Sequence, residues 1–186
     1  MAISKVQAYT SWASDEGALV AKMLEALPDG SDLFVSSSMP VRDIDTFLTK
    51  TSKDLRIIAN RGANGIDGVM STAFGYSTAN RARKSYLLIG DLALLHDSNA
   101  FIATRYQNLQ LNVIVMNNDG GGIFSYLPQA KVEEHYEELF GTPTALTFEQ
   151  LAAMYEIAYT AVTTKEHPVS SATISLQRSV AMTSAN

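Results

Sequence analysis

The sequence GDLALLHDSNAFIATRYQNLQLNVIVMNNDGGGIF, residues 90–124, decides the fold. An apolar run at 86–89 leads into Asp91, and a second apolar run at 113–116 leads into a polar triplet and three glycines. A helix-length segment separates the two runs. Two strands would therefore carry oxygen-bearing side chains at their carboxyl ends, which is the edge where parallel α/β sheets bind ligands.

The residue types at this edge suit a divalent cation that holds a diphosphate. Asp91 and Asn118 can supply two hard oxygen ligands, and a backbone carbonyl near Gly120 can supply a third. The remaining coordination positions would go to phosphate oxygens and a water, an arrangement that Mg²⁺ favours. Glycine backbone can approach such a ligand closely. The stretch therefore predicts a metal–phosphate site.

Apolar periodicity elsewhere predicts an α/β fold with a mostly parallel sheet and helices on both faces. Strands are expected at 33–35, 55–59, 84–90, 112–117 and 158–163. Helices are expected from Ser14 to Leu27, after Pro40, and at 69–79, 97–108 and 147–155, the last with Thr147 and Gln150 as a capping box. Residues 170–177 alternate only weakly, and residues 178–186 are expected to be a disordered tail.

Composition excludes several classes of function. The chain has 186 residues, long enough for one domain with a core. Its net charge of −5 gives no support for nucleic acid or an anionic membrane as partner. The absence of cysteine excludes disulfides, zinc–thiolate sites and thiol catalysis. No apolar run reaches membrane-spanning length and no signal peptide is visible, so a cytoplasmic location is the expectation.

Two further loops follow predicted strands and would converge on the same edge. The loop at 36–42 carries Arg42, and the loop at 60–68 carries Arg61. Arginine binds carboxylates in a bidentate fashion, so both side chains are candidates for binding an anionic substrate. Ile66, Ile123 and Phe124 would add the apolar surface that small-molecule pockets need.

These residues carry a resemblance to a known family. Gly90-Asp91, followed at a matching distance by Asn117-Asn118, resembles the cofactor motif of the thiamine-diphosphate enzymes. The stretches ANRGANGIDG at 59–68, GDL with HDSN at 90–99, and NNDGGGIF with LP at 117–128 resemble more narrowly the menaquinone-pathway synthases within that family. Leu92 stands where the wider family usually has glycine, and leucine there is typical of this subfamily. The resemblance covers roughly residues 14–162.

The resemblance implies a three-domain parent whose cofactor lies between two subunits of a homodimer or homotetramer. Residues 14–177 would be its C-terminal, diphosphate-binding domain, and residues 1–13 the linker from a missing middle domain. The activating glutamate would lie in a missing domain, so no catalytic residue is expected here and the chain alone would be inactive. The whole enzyme would decarboxylate 2-oxoglutarate and add the succinyl carbanion to isochorismate. The ending at 168–186 does not resemble the family.

The resemblance also implies roles for individual residues. Metal ligands for Mg²⁺ or Mn²⁺ would be Asp91, Asn118 and the Gly120 carbonyl. Ile66 would be the apolar wedge that bends thiamine diphosphate. The cofactor-binding set would be Asn60, Gly62, Ile66, Gly90, Asp91, Leu92, Asn118, Gly120, Gly121 and Ile123. The substrate-binding set would be Ser38, Arg42, Arg61, Ile123, Phe124 and Leu127.

Other interpretations of the same residues stay open at this point. The glycines at 62, 65 and 68 could instead pack a helix or form a dinucleotide loop, which would favour a nicotinamide oxidoreductase. Arg61 could form a structural ion pair, and Arg42 could be a solvated residue at a helix start. The chain could also be another thiamine-diphosphate-dependent decarboxylase or synthase domain, or a catalytically silent module that dimerises through an exposed apolar surface.

Overall fold

Helices and strands alternate along most of the chain in the computed structural model, which describes residues 16–62, 65–107, 110–164 and 167–176, with 162–176 as backbone alone. The helices are α1 Glu16–Ala26, α2 Met39–Phe47, α3 Val69–Ala79, α4 Asp91–His96 and α5 Glu149–Met154. The strands are β1 Asp32–Val35, β2 Arg56–Ala59, β3 Ser85–Gly90, β4 Leu111–Asn117, β5 Ala158–Thr164 and β6 His167–Leu176. Short 3-10 helices span Ser98–Arg105, Gly122–Tyr126 and Pro128–Lys131, and a π-helical turn spans Glu137–Gly141.

The strands form one sheet in the order β2-β1-β3-β4-β6-β5. Strands β2, β1, β3 and β4 are parallel, with Val35 opposite both Ala59 and Leu88, and Gly90 opposite Met116. Their carboxyl ends therefore meet at one edge, and the prediction of an α/β fold with a mostly parallel sheet is confirmed. Strand β6 runs antiparallel to both β4 and β5. Strand β6 was not predicted, because its three serines, one threonine and one alanine leave only a weak apolar alternation.

Two apolar clusters cover the two faces of the sheet. Neighbouring residues of one strand divide between them: Phe34 belongs to the cluster with α3 and the Ser98–Arg105 helix, whereas Leu33 and Val35 belong to the cluster with α1 and α2. This division follows from the period of two along a strand. None of the described helices is both long and apolar enough to cross a membrane.

Two local predictions need correction. The helix expected at 97–108 is present, but as the Ser98–Arg105 3-10 helix, and it is preceded by α4, a separate helix at Asp91–His96 that was not predicted. The end of α4 is set by Asp97, whose carboxylate accepts hydrogen bonds from the backbone N–H and hydroxyl of Ser71 (2.7 and 3.0 Å). Predictions for residues 1–13, the helix start at Ser14 and the tail at 178–186 lie outside the described residues.

The second wrong prediction is the capping box at Thr147. The residue that caps α5 is Phe148, and no side-chain hydrogen bond caps this helix. Phe148 is buried in the core, so its packing, rather than a threonine hydroxyl, sets where α5 begins.

A polar network braces the opposite edge of the sheet, at the amino ends of β1 and β3. Arg83 Nε donates to the buried Asp32 carboxylate at 2.5 Å, and Arg83 Nη1 donates to Asp54 at 2.6 Å. The Tyr76 hydroxyl donates to the second oxygen of Asp32 at 2.9 Å. Asp32 is 1% exposed, so this network supplies the partners that a buried carboxylate requires.

Candidate functional site

A cavity of about 400 Å³ opens at the carboxyl edge of the parallel strands. Its lining comes from α1 and from the loops that follow four neighbouring strands. These lining residues are Glu16; Ser37, Ser38, Met39, Pro40 and Arg42; Arg61, Gly65 and Ile66; Gly90, Asp91, Leu92 and Ala93; and Met116, Asn118, Gly120, Gly121, Gly122, Ile123 and Phe124. The volume falls within the range of small-molecule sites.

Asp91 is the buried acid of this cavity. It is the first residue of α4, directly after β3, and is 2% exposed. Its Oδ2 accepts a hydrogen bond of 2.8 Å from the backbone N–H of Gly120. Burial raises the pKa of the Asp91 carboxyl, and hydrogen bonds from the backbone N–H groups of Leu92 and Gly120 offset this only in part. A cation bound beside Asp91 would offset the cost of its burial.

The glycines after β4 are required by close backbone packing. Gly120 has a φ of +138°, and a Cβ there would overlap the carbonyl oxygen of Gly141. A Cβ at Gly121 would likewise overlap the carbonyl oxygen of Phe140, and the Gly121 N–H donates to the Gly141 carbonyl at 2.7 Å. The π-helical turn therefore lies directly against the glycine loop, which leaves no room for side chains there.

Asp119 anchors the same loop from the outside. Its Oδ1 accepts hydrogen bonds from the backbone N–H groups of Thr144 and Ala145 at 2.9 and 2.7 Å. Asp119 itself has a φ of +61° and is exposed. It does not line the cavity, so its role in the structure is to hold the segment at 144–145 beside the glycines.

Asn118 carries the second oxygen-bearing side chain of the predicted metal site. Its Nδ2 donates to Oε2 of Glu16 at 3.3 Å, across 102 positions of sequence. The carboxamide oxygen of Asn118 does not take part in that bond. The contact places an acid from α1 at the cavity, beside the loop that follows β4.

The loop after β1 brings serines and an arginine to the cavity. Ser38 has a φ of +73° and caps α2, and its carbonyl accepts a hydrogen bond from Arg42 Nη1 at 2.6 Å. The Ser37 hydroxyl is buried and has no hydrogen-bond partner within the described part of the chain. Arg61 reaches the cavity from the loop after β2, and both arginines are largely exposed. Polar and cationic groups thus face the cavity from this side.

The structure brings most of the predicted site residues together. Twelve of them line the cavity: Ser38, Arg42, Arg61, Ile66, Gly90, Asp91, Leu92, Asn118, Gly120, Gly121, Ile123 and Phe124. Three do not. Asn60 Nδ2 donates to Thr72 Oγ1 at 3.1 Å, Gly62 is exposed, and Leu127 is 39% exposed beyond the Gly122–Tyr126 helix.

Several lining residues were not predicted to be part of the site. Glu16 and Ser37 are the polar members of this group. Ser37 lies in the loop at 36–42 that was expected at this edge, whereas no sequence motif pointed to Glu16. Within the described ranges no three His, Asp or Glu side chains lie close enough to hold a metal on their own.

The chain belongs to a known family. The family model described as "Thiamine pyrophosphate enzyme, C-terminal TPP binding domain" matches residues 44–178. The resemblance noted from the motifs is confirmed, but the match extends beyond residue 162 and includes 168–178, part of the ending that was expected not to resemble the family.

Within this family, the chain is similar in sequence to synthases that share one name. The chain is 63% identical, over 164 residues, to a 2-succinyl-5-enolpyruvyl-6-hydroxy-3-cyclohexene-1-carboxylate synthase of Lysinibacillus sphaericus (strain C3-41); this match covers 88% of the chain and 28% of the relative. Synthases of the same name match at 50% identity in Oceanobacillus iheyensis (81% of the chain, 26% of the relative) and 51% in Chloroflexus aurantiacus (80% and 25%). The chain spans about a quarter of the length of these curated relatives.

Proposed function

We propose that this chain holds the diphosphate of thiamine diphosphate, through Mg²⁺ or Mn²⁺, as part of a synthase like its relatives. The metal ligands would be the side chains of Asp91 and Asn118 and the carbonyl of Gly120. The observation that carries the proposal is the Gly120 N–H···Asp91 hydrogen bond of 2.8 Å, which brings a buried carboxylate and the glycine loop together at the sheet edge.

The donor set fits such a cation. Asp91 supplies a carboxylate whose burial raises its pKa, so a positive charge beside it is favourable. Asn118 supplies a neutral amide oxygen, and Gly120 a backbone carbonyl. Two side chains and one carbonyl leave coordination positions for phosphate oxygens and water, which is how Mg²⁺ is usually bound.

Apolar residues support the organic part of the cofactor. Ile66 lines the cavity and also packs against the core cluster, so its position is held by the fold. We propose that it is the wedge against which thiamine diphosphate bends. Gly90, Leu92, Gly121 and Ile123 complete the proposed cofactor surface. Asn60 and Gly62 do not line the cavity.

The part of the cavity lined by Arg42 and Arg61 would bind substrate. Ser38, Arg42 and Arg61 can bind carboxylates, and Ile123 with Phe124 can contact the carbon chain; Leu127 lies outside the lining and is left out. The relatives' name gives the product, a succinylated cyclohexene carboxylate. As its precursors we propose 2-oxoglutarate and isochorismate, the substrates implied by the family resemblance. Thiamine diphosphate, when bound, supplies the electron sink for decarboxylating a 2-oxo acid. This chain's residues would orient the carboxylates.

The proposal also covers assembly. With no activating glutamate assigned to this chain, a further domain would supply it, and the chain by itself would be catalytically silent. We propose that the whole protein is a homodimer or homotetramer, because the cofactor would need contacts from a second subunit. We also propose a cytoplasmic location.

A paramagnetic metal titration tests the proposed function. Mn²⁺ with thiamine diphosphate, added to the ¹⁵N-labelled chain, should broaden the backbone signals of Asp91, Asn118 and Gly120, even if binding is weak. Asp91→Ala should abolish the effect. The control is Asp45→Ala, since Asp45 is an exposed acid on α2. Unchanged broadening in Asp91→Ala, or no broadening in the wild-type chain, would overturn the assignment.

A further inference from the structure

The side-chain amide of Asn118 raises a question that its proposed role as metal ligand leaves open. An asparagine amide carries an acceptor oxygen on one side and a donor NH₂ group on the other. Only the oxygen can bind a cation. A rotation of the amide by half a turn would present NH₂ to the cation and remove the ligand. A contact to the NH₂ group would hold the amide in the ligand orientation before the cation binds.

Glu16 makes that contact. Its Oε2 lies 3.3 Å from Asn118 Nδ2. An ionised carboxylate is an acceptor only, so chemistry alone requires that the NH₂ group of Asn118 faces it. The oxygen of the amide is thereby turned away from Glu16. Glu16 is the acidic residue in the first turn of α1, a position where the helix dipole stabilises negative charge.

Gly122 leaves room for this orientation of the amide. A Cβ at Gly122 would lie 2.7 Å from Asn118 Nδ2 but 3.9 Å from its Oδ1. The nitrogen of the amide is therefore packed against the Cα of Gly122, and its oxygen lies farther from Gly122. Glycine at 122 leaves the space in which the amide nitrogen can reach Glu16.

We propose that Glu16 is a positioning residue that orients Asn118 so that its oxygen faces the metal. The inference rests on the proposed function, because it gives Asn118 its ligand role. The role explains why an acidic side chain lines a cavity proposed to bind a diphosphate. The Glu16 carboxylate would contact Asn118 rather than the diphosphate. Groups that orient metal ligands in this way commonly change metal affinity by 10–100-fold when removed.

Two substitutions at position 16 separate orientation from charge. Glu16→Ala removes the acceptor, and we expect Mn²⁺ affinity in the presence of thiamine diphosphate to fall at least about tenfold. Glu16→Gln removes the charge but keeps an amide oxygen that accepts the bond, so affinity should stay within about threefold. Equal losses in both variants would overturn the proposal. Glu25→Ala, an exposed acid on the same helix, is the matched control.

A double variant gives a second test, because the effect of Glu16→Gln on metal affinity should depend on the residue at position 118. In Asn118→Asp a carboxylate oxygen replaces the NH₂ group that faces Glu16, so two like charges meet and repel. Adding Glu16→Gln supplies an NH₂ donor to that oxygen, and metal affinity should be at least about tenfold higher in the double variant than in Asn118→Asp alone. Glu16→Gln would thus strengthen binding in one background and leave it unchanged in the other. No recovery in the double variant would contradict the proposal.

The failure of this inference can be told apart from failure of the proposed function. If wild-type chain binds Mn²⁺ and Asp91→Ala does not, the metal site stands; an unaltered Glu16→Ala would then reject only the positioning role. If the wild-type chain does not bind Mn²⁺, both the proposed metal site and the positioning role of Glu16 are rejected. The side-chain amide resonances of Asn118 provide a readout without metal: they should shift in Glu16→Ala and remain near the wild-type positions in Glu16→Gln.

Discussion

The backbone N–H of Gly120 donates a 2.8 Å hydrogen bond to the buried carboxylate of Asp91. Asp91 follows β3 and Gly120 lies in the loop after β4, so the bond joins the ends of two neighbouring parallel strands. The bond holds one oxygen of the carboxylate against the glycine loop. The stability and binding properties of the chain should therefore depend on this pair and on the segments that support it.

Asp91→Asn should stabilise the metal-free chain at neutral pH. Burial raises the Asp91 pKa above its unfolded-state value, so the ionised carboxylate destabilises the fold. That cost is absent below the unfolded pKa and is fully present once the pH has risen through the raised pKa. We expect a gain of about 1 kcal/mol near pH 8, in the range typical of replacements at functional sites. Urea unfolding across a pH series measures it.

The pH dependence is the decisive part of that experiment. The difference in unfolding free energy between Asp91→Asn and wild type should shrink as the pH falls through the raised pKa. A difference that stays constant with pH would show that burial of the charge is not its cause. Asp45→Asn, at an exposed position, should give no such trend.

Gly120→Ala should destabilise the chain by about 3 kcal/mol. The added Cβ would overlap the Gly141 carbonyl, and the φ of +138° is unfavourable for alanine. The matched control is Gly75→Ala, an exposed position inside α3 where a Cβ meets nothing within 4 Å. That change should stabilise by about 0.5–1 kcal/mol. Thermal melts followed by circular dichroism distinguish the two signs, and equal effects would contradict this account of the loop.

Arg83→Met should lower Tm by roughly 10 °C, because it leaves the buried Asp32 carboxylate without its cation. Adding Asp32→Leu should recover much of the loss, since no buried charge is then left unpaired. This network lies at the amino edge of the strands, away from the cavity. Mn²⁺ affinity of the folded protein should therefore not change. A parallel loss of metal affinity would contradict the separation of the two edges.

Asp119→Ala should cost about 1–2 kcal/mol and loosen the segment at 144–145. The carboxylate accepts the backbone N–H groups of Thr144 and Ala145, which would lose their partner. Asp119→Asn keeps an acceptor oxygen and tolerates the φ of +61°, so it should be milder. Hydrogen exchange at Thr144 and Ala145 is the readout, and unchanged exchange in Asp119→Ala would reject the anchoring role.

The parallel strands could be predicted from the sequence because each is a short apolar run that ends in a polar or glycine-rich loop, which is a local pattern. Element boundaries that depend on tertiary contacts could not be predicted in this way. Asp97 ends α4 by bonding to Ser71 in α3, and burial of Phe148 sets the start of α5. Strand β6 was not identified because pairing with β4, rather than apolar alternation, marks it as a strand.

The sequence by itself determined the residue types at the sheet edge: an acid after one strand, an amide and glycines after the next, and arginines in the neighbouring loops. Local runs and spacing are enough for that, because strand ends are encoded locally. Only the tertiary structure decided which groups meet. Glu16 reaches Asn118 across 102 positions because α1 packs against the sheet, and Gly120 must be glycine because the π-helical turn lies against it. Such contacts depend on the packing of distant segments, which no short pattern contains.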